Sequence, residues 1–356
     1  MSATTTYNGN DTFHGWAASA KGAPLVLQEM TLKQWTEDDV EIKISHCGMC
    51  GSDDHYLCES WGPSTYPCVV GHEIVGTVTR VGKNVKYVKV GDRAGVGAQS
   101  GACQRCENCL TGNPNTCSDL KGFILTYGSR WPCGTPSYGG YADKWRGDQH
   151  FVFKVPDNMT NEIAATFFCA GITTYAPLKR TDVKAHSVVG VMGIGGLGHY
   201  GVLWAKAMGA KVIGMSHSDK KRDVALELGC DDYIVTSDKE DRKRYFKKMT
   251  HILCTGTSPD FQWEPYFDLL KVNGHFINVS LPKWDFPPFH TYDILKNQVF
   301  IHGSAIGSPN EIREMLKFAA EKNVRPWIQK YSMKDVNKAM ENFRAGKPRF
   351  RFVLEN

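Results

Sequence analysis

The stretch from Val188 to Met215 constrains the fold more than any other part of the chain. An apolar run, Val188-Val189-Gly190-Val191-Met192, leads into Gly193-Ile194-Gly195-Gly196-Leu197-Gly198. A helical stretch through Ala205-Lys206-Ala207-Met208 follows, and then a second apolar run, Lys211-Val212-Ile213-Gly214-Met215. Strand, turn, helix and strand in that order predict a βαβ unit, hence a parallel sheet with helices on both faces. The glycines have separate uses at such a turn. The first permits the tight bend, the second lets the backbone approach a pyrophosphate, and the last allows helix and strand to pack closely. A glycine pattern alone says little, but between a strand and a helix it marks a nucleotide-binding turn.

At 356 residues the chain is too long for one ordinary core, and about 150 residues per domain implies about two. The texture divides accordingly. From Phe13 to about Phe168, glycine-punctuated β-branched runs such as Val40–Ile44 and Ile74–Thr79 read as short strands joined by turns. From Ser187 onward, strands alternate with helices: a charged helix is expected over Lys220–Leu228, and strands at His251–Cys254, His275–Val279 and Val299–His302. A helix at Glu311–Lys322 and a strand at Phe350–Leu354 belong to neither half by pattern alone. The expected fold class is thus α/β plus a mostly β part, with the first dozen residues a loose tail. No apolar run approaches the roughly 18 residues that span a bilayer. The N-terminus lacks a basic stretch followed by an apolar segment, so cytoplasmic residence is the expectation. A net charge of +5 without a basic block argues against a nucleic-acid surface and leaves room for a local phosphate pocket.

Twelve cysteines in a chain of this kind point to metal ligation rather than disulfides. Cys103, Cys106, Cys109 and Cys117 stand in the spacing C-x2-C-x2-C-x7-C, beside the charged Arg105 and Glu107, which is a poor core pattern. Four thiolates gathered by short loops suit a closed structural zinc site, with sulfurs at about 2.3 Å from the ion. An iron–sulfur cluster is the rival, but a redox cluster has no role in the rest of the chain. Three further segments carry dispersed ligand types: Cys47-Gly48-Met49-Cys50-Gly51-Ser52-Asp53-Asp54-His55, Gly71-His72-Glu73, and Cys169-Ala170-Gly171-Ile172-Thr173-Thr174-Tyr175. A catalytic zinc takes three protein ligands and keeps one position open, and a Cys2His set is the pattern of zinc alcohol dehydrogenases.

With these motifs in this order from Phe13 to Leu354, the chain resembles the zinc-containing medium-chain dehydrogenases/reductases, and among them the cinnamyl alcohol dehydrogenase branch with its broad-specificity fungal members. The resemblance implies a GroES-like catalytic domain over 1–168 and 306–356 and a Rossmann cofactor domain over 169–305. It makes Cys50, His72 and Cys169 the catalytic zinc ligands, with Cys47 no ligand and Cys103, Cys106, Cys109 and Cys117 holding the structural ion, two zinc ions per chain. Glu73 would be a supporting carboxylate or an exchangeable fourth ligand. Asp53 would accept a hydrogen bond from His72 and fix its tautomer. Ser52 and His55 match the proton relay: an alcohol must lose its proton before hydride leaves its carbon, and a hydroxyl near the metal with an imidazole nearer solvent supplies the path.

The same resemblance places the cofactor on Thr173 and on Gly193, Ile194, Gly195, Gly196, Leu197 and Gly198. NAD enzymes carry a carboxylate just after the second strand, to bind the ribose 2′-hydroxyl. Here that position is Ser216, followed by His217, Ser218, Asp219, Lys220, Lys221 and Arg222. Hydroxyls from Ser216 and Ser218 with the Lys221 cation suit a 2′-phosphate, hence NADP(H). His217 stands where some relatives have arginine, and Asp219 stands near, but not at, the position of the NAD-type acid. Leu125 and Ala305 replace the bulky aromatics of lignin-pathway enzymes and are the expected substrate-pocket positions. The implied protein is a cytoplasmic homodimer acting on small alcohols and aldehydes. A conjugate-alkene or imine reductase on the same fold is the alternative, although such relatives lose the relay residues retained here. A non-catalytic zinc or redox-sensing protein is a further alternative, against which the complete ligand and cofactor motifs argue.

Overall fold

The computed structural model describes residues 11–119 and 121–356. The expected N-terminal tail lies almost wholly outside the described residues, and the first strand, Thr12–Ala17, begins at its end. The chain divides into two compact units, Met1–Cys169 with Ser308–Leu316 and Ile328–Asn356, and Ala170–Gly307 with Lys317–Trp327.

In the second unit, six strands form a sheet in the order Asp232–Val235, Lys211–Ser216, Val188–Met192, Met249–Cys254, Leu270–Asn278, Phe300–Gly303. Every neighbouring pair is parallel. Numbered along the chain this is 3-2-1-4-5-6, the doubly wound Rossmann order, in which ligands bind at the carboxyl ends of the strands where the order reverses. Val189, Val191, Ile213, Met215, Ile252, Leu253 and Phe276 are all buried, which is why these strands read as continuous apolar runs rather than as alternations. The glycine turn follows the first strand and opens the helix Gly196–Ala207. The expected charged helix is a 3-10 turn, Asp219–Lys221, running into the α-helix Arg222–Leu228. The strand expected at His275 begins at Leu270, because Leu270 pairs with Met249 before a register shift.

The first unit is built on a seven-stranded sheet, mostly antiparallel, with Asp39–Gly48 near its centre. That strand pairs antiparallel with Ile74–Val81, Lys144–Asp148 and the terminal strand Arg351–Glu355. It extends past the expected Ile44 to Gly48, and Leu354 lies opposite Cys47. The end of the chain is therefore set beside the first cysteine motif, a placement that pattern could not assign. The helix expected near Glu311 spans Pro309–Glu321, and its two halves count with different units. Among the described residues, no helix is long and apolar enough to cross a membrane.

Candidate active site

Cys50, His72 and Cys169 all belong to the first unit. One ligand atom from each lies within 4.8 Å of the other two. Each arrives by a different local device. Cys50 caps the helix Gly51–Leu57 just after the central strand, and its N–H donates to Asp53 Oδ2 at 2.8 Å, the back-reaching half of a capping box. His72 follows Gly71, whose φ of +104° is open to glycine and strained for other residues. Cys169 lies on a π-helical turn, Phe167–Gly171, a rare local form frequent at functional sites. Its Sγ is 3.7 Å from Cys50 Sγ. Two sulfurs bound tetrahedrally at about 2.3 Å from one zinc stand about 3.8 Å apart, so the pair fits a shared ion.

The electrostatics favour a cation at this point. The hydrogen bond from the Cys169 thiol holds Cys50 well below the ordinary thiol range, with His72 assisting, the direction that favours a metal-binding thiolate. Asp53 and Glu73 are fully buried beside it. His72 Nε2 is buried without a hydrogen-bond partner, as a ligand nitrogen would be before its ion is counted. Asp53 is held by donors that its sequence position does not announce. Its carboxylate accepts from the N–H of Cys50, the N–H of Gly71 at 3.0 Å and the Tyr141 hydroxyl at 3.0 Å, and a hydrogen bond to His72 is not among these. Asp53 also lies close enough to His72 to act on it by charge. Glu73 Oε1 accepts from the buried guanidinium of Arg351. Cys47 lies in the core, outside the ligand cluster, and burial pushes its thiol up.

Ser52 Oγ is 3.6 Å from Cys50 Sγ, next to the ligand set. His55 is one turn further along the same helix, stacked on Trp61 with ring centroids 4.5 Å apart. No hydrogen bond joins Ser52 to His55 among the described residues. A relay between them would therefore need a bridging hydroxyl from substrate, cofactor or water.

Cys103, Cys106, Cys109 and Cys117 form the second cluster, with sulfur separations of 3.8 Å (Cys103 to Cys109) and 3.9 Å (Cys106 to Cys117), again the edge length of a zinc tetrahedron. Backbone N–H groups, that of Cys109 foremost, hold the Cys106 thiol down to about 5. The loop is tied by Asn108 donating to the Thr116 carbonyl at 2.6 Å and by an Arg105–Asp119 ion pair at 2.8 Å.

In the second unit the glycine turn shows the expected division of labour. Gly193 has φ +86°, a Cβ on Gly198 would stand 1.8 Å from the Gly193 carbonyl oxygen, and a Cβ on Gly195 would meet nothing within 4 Å. The open face at Gly195, at the N-terminus of a 12-residue helix, is a cradle of the kind that receives a pyrophosphate. Ser216 closes its strand, and the Lys221 ammonium reaches back to donate to the Ile194 carbonyl at 2.7 Å, which sets it beside the turn. Asp219 is paired with Arg222 at 2.5 Å. His217 is exposed, and the Ser218 carbonyl accepts from Tyr233. Ile194 is buried and Leu197 half-buried in the turn, and Thr173 is buried on the helix Ile172–Arg180. Leu125 is exposed on the short strand Ile124–Leu125, and Ala305 is exposed just after the edge strand Phe300–Gly303.

Four residues of the site escaped sequence reasoning. A Cβ on Gly48 would fall 1.9 Å from Glu73 Oε2, so glycine there makes room for the carboxylate. Arg351 carries no local sign beyond lying in the terminal strand. Tyr141 carried no local sign, and neither did Tyr127, whose ring stacks on His72.

Comparison with known proteins agrees with this geometry. Residues 36–157 match the alcohol dehydrogenase GroES-like domain, and residues 196–321 match the zinc-binding dehydrogenase family. An 8-hydroxygeraniol dehydrogenase of Catharanthus roseus is 41% identical over 96% of this chain and 94% of its own length. A cinnamyl alcohol dehydrogenase of Sorghum bicolor superposes with a TM-score of 0.91 at 36% identity, covering 97% of each chain. A cinnamyl alcohol dehydrogenase of Helicobacter pylori, solved with NADP(H), gives 0.88 at 32% identity over 97% of this chain and 98% of the other. The chain belongs to the zinc-containing medium-chain alcohol dehydrogenases, in the cinnamyl alcohol dehydrogenase branch.

Proposed function

We propose that this alcohol dehydrogenase interconverts primary alcohols and aldehydes, aromatic or aliphatic, with NADP(H), and works chiefly as an aldehyde reductase. The observation that carries the reading is the Ser52 hydroxyl lying 3.6 Å from Cys50 Sγ within a Cys2His set. Such a set leaves one metal position open for an oxygen ligand and puts a proton carrier next to it. A bound zinc supplies Lewis acidity to a carbonyl or hydroxyl oxygen, and a bound nicotinamide supplies or accepts hydride. Cys50, His72 and Cys169 would hold the first ion, and Cys103, Cys106, Cys109 and Cys117 a structural one. Ser52 holds the proton at the reacting oxygen, and His55 carries it toward solvent. Glu73, bound to Arg351, sits buried behind the ligand set.

On the cofactor side, the Gly195 backbone receives the pyrophosphate, with Thr173 beside the same nucleotide. Ser216 and Ser218 donate to the 2′-phosphate, and Lys221 neutralises it. In this reading 1–168 and 306–356 make the catalytic domain and 169–305 the cofactor domain, Leu125 and Ala305 line the substrate pocket, and the protein is a cytoplasmic homodimer. Retention of Ser52 and His55 speaks against a conjugate-alkene or imine reductase. The test is a panel of aldehydes and alkenes with NADPH or NADH, following nicotinamide absorbance, alongside metal analysis. The expected result is aldehyde reduction with NADPH and about two zinc ions per chain. Active protein with one zinc or none, or turnover of alkenes alone, overturns the reading.

A further inference from the structure

A relay histidine has to be held without spending its nitrogens. It accepts a proton through one ring nitrogen and releases it through the other, each over a hydrogen-bond length of about 2.6–3.2 Å, so a hydrogen bond that fixed the ring would occupy half of the path. A contact on the ring face fixes the plane and leaves both nitrogens open at its edge. His55 is held in this second way. Its ring lies on that of Trp61, with centroids 4.5 Å apart and planes 26° from parallel, and among the described residues its imidazole makes no hydrogen bond or ion pair. Aromatic rings attract at about 4.5–7 Å, and an indole face also attracts a cation, so the contact persists whether the imidazole carries one proton or two.

The local sequence folds Trp61 onto His55. The helix Gly51–Leu57 ends in a Schellman turn: Glu59 takes the left-handed conformation at φ +53°, its N–H donates to the Tyr56 carbonyl at 3.2 Å, and the Ser60 N–H donates to the carbonyl of His55 itself at 2.9 Å. The chain thereby doubles back, and Gly62 at φ +122° turns it away again. Trp61, between these two bends, returns to the last turn of the helix, where His55 lies. An ion pair between Lys21 and Glu59 at 3.6 Å ties the loop down. Trp61 stays 43% exposed and stands outside the core cluster of its unit, so its ring serves this contact rather than the core.

We propose that Trp61 is the positioning residue for His55, holding the relay imidazole by its ring face so that both nitrogens stay free to pass the proton. The inference rests on the reading of Ser52 and His55 as the proton relay. The test uses full-length zinc-loaded protein in wild type, His55→Ala, Trp61→Phe, Trp61→Leu and the double variant Trp61→Leu with His55→Ala. For an aldehyde that the wild type reduces, it measures the single-turnover rate of nicotinamide oxidation, the solvent deuterium isotope effect on that rate, KM, and thermal melting. Trp61→Leu should slow the single turnover by about threefold to tenfold, no more than His55→Ala does, and should change the solvent isotope effect in the same direction. Trp61→Phe keeps a ring face and should keep most of the rate. In the His55→Ala background, Trp61→Leu should slow the reaction no further, because two residues acting through one path are not additive. A wild-type rate and isotope effect in Trp61→Leu would overturn the proposal. So would a loss that multiplies in full with that of His55→Ala, or one confined to the KM for aldehyde, since Trp61 would then act on the substrate and not through His55. If Trp61→Leu melts well below wild type, Trp61→Met carries the same expectation. His55→Ala at the wild-type rate would instead refute the relay reading and the proposal with it, and this is measured before any Trp61 variant.

Discussion

Arg351→Met removes one half of an ion pair that the structure buries almost completely, the side chains being 5% and 0% exposed for Arg351 and Glu73. The consequence follows from what is left behind. Burial, with the Cys50 charge adding to it, pushes the Glu73 carboxyl up to about 7 even with the guanidinium beside it, so the carboxylate has no solvent to fall back on when Arg351 goes. Breaking a buried pair from one side typically costs about 3–5 kcal/mol, equivalent to roughly 10²- to 10⁴-fold in the folding equilibrium. Removing both charges is a different perturbation. Glu73→Gln with Arg351→Met leaves no stranded charge, and buried pairs replaced on both sides are often near neutral, so the double variant should recover most of the loss. Gln is chosen because Gly48 leaves the Glu73 carboxylate no space for a longer group. The assay is denaturant unfolding of the zinc-loaded protein with zinc in the buffer, comparing midpoints and slopes, since a two-unit protein need not unfold in one step. An Arg351→Met variant within about 0.5 kcal/mol of wild type would refute the reasoning. A double variant as unstable as the single one would refute it equally.

The relay predicts that Ser52→Ala lowers turnover by about 10²-fold or more, while His55→Ala costs less because water substitutes nearer the surface; unchanged rates across pH in Ser52→Ala would leave the relay without support. For the cofactor, a charge-assisted hydrogen bond contributes about 1.5–3 kcal/mol, so Lys221→Ala should weaken kcat/KM for NADPH roughly tenfold to a hundredfold with little change for NADH. Ser216→Asp should move the preference toward NADH, and a ratio that neither substitution shifts refutes the assignment of the loop. His251 supplies a pH prediction. Burial holds its imidazole down at about 4, with the ring nitrogens at 2.8 Å from the Thr250 hydroxyl and 3.0 Å from the Thr181 carbonyl. A folded-state value below the usual 6.5 means that the unfolded chain takes the proton first, so stability present above pH 6.5 is lost as pH falls toward 4. By pH 5 the loss from this one group is about 2 kcal/mol. His251→Gln should lose correspondingly less stability than wild type between pH 7 and pH 5, and equal slopes would show that His251 does not titrate as described.

Much of the chemistry was legible because it is written in local spacing. The four cysteines from Cys103 to Cys117 are close enough in sequence for short loops to gather them. The glycine turn lies between the two elements it joins, so its geometry depends on Val188–Ala207 alone. Neighbouring Gly-His-Glu and Cys-Gly-Met-Cys segments could likewise be placed on a ligand set by resemblance. What lay beyond reach depends on contacts between distant segments. The sequence calls for parallel strands but contains no sign of their order, and the 3-2-1-4-5-6 arrangement is decided by how helices pack on the sheet faces.

Arg351 finds Glu73 across 278 positions because the terminal strand pairs with the strand that ends at Gly48, a register no local pattern records. The donors that hold Asp53 were out of reach for the same reason. Its identity in the sequence says that it accepts hydrogen bonds, whereas which donors reach it is decided by the fold, and Tyr141 arrives from 88 residues away. The amino-acid sequence by itself thus determined which groups could bind metal and nucleotide, since those properties belong to residue types at short spacing. Only the tertiary structure decided which groups hold them in place, because burial and orientation arise from segments that meet through packing.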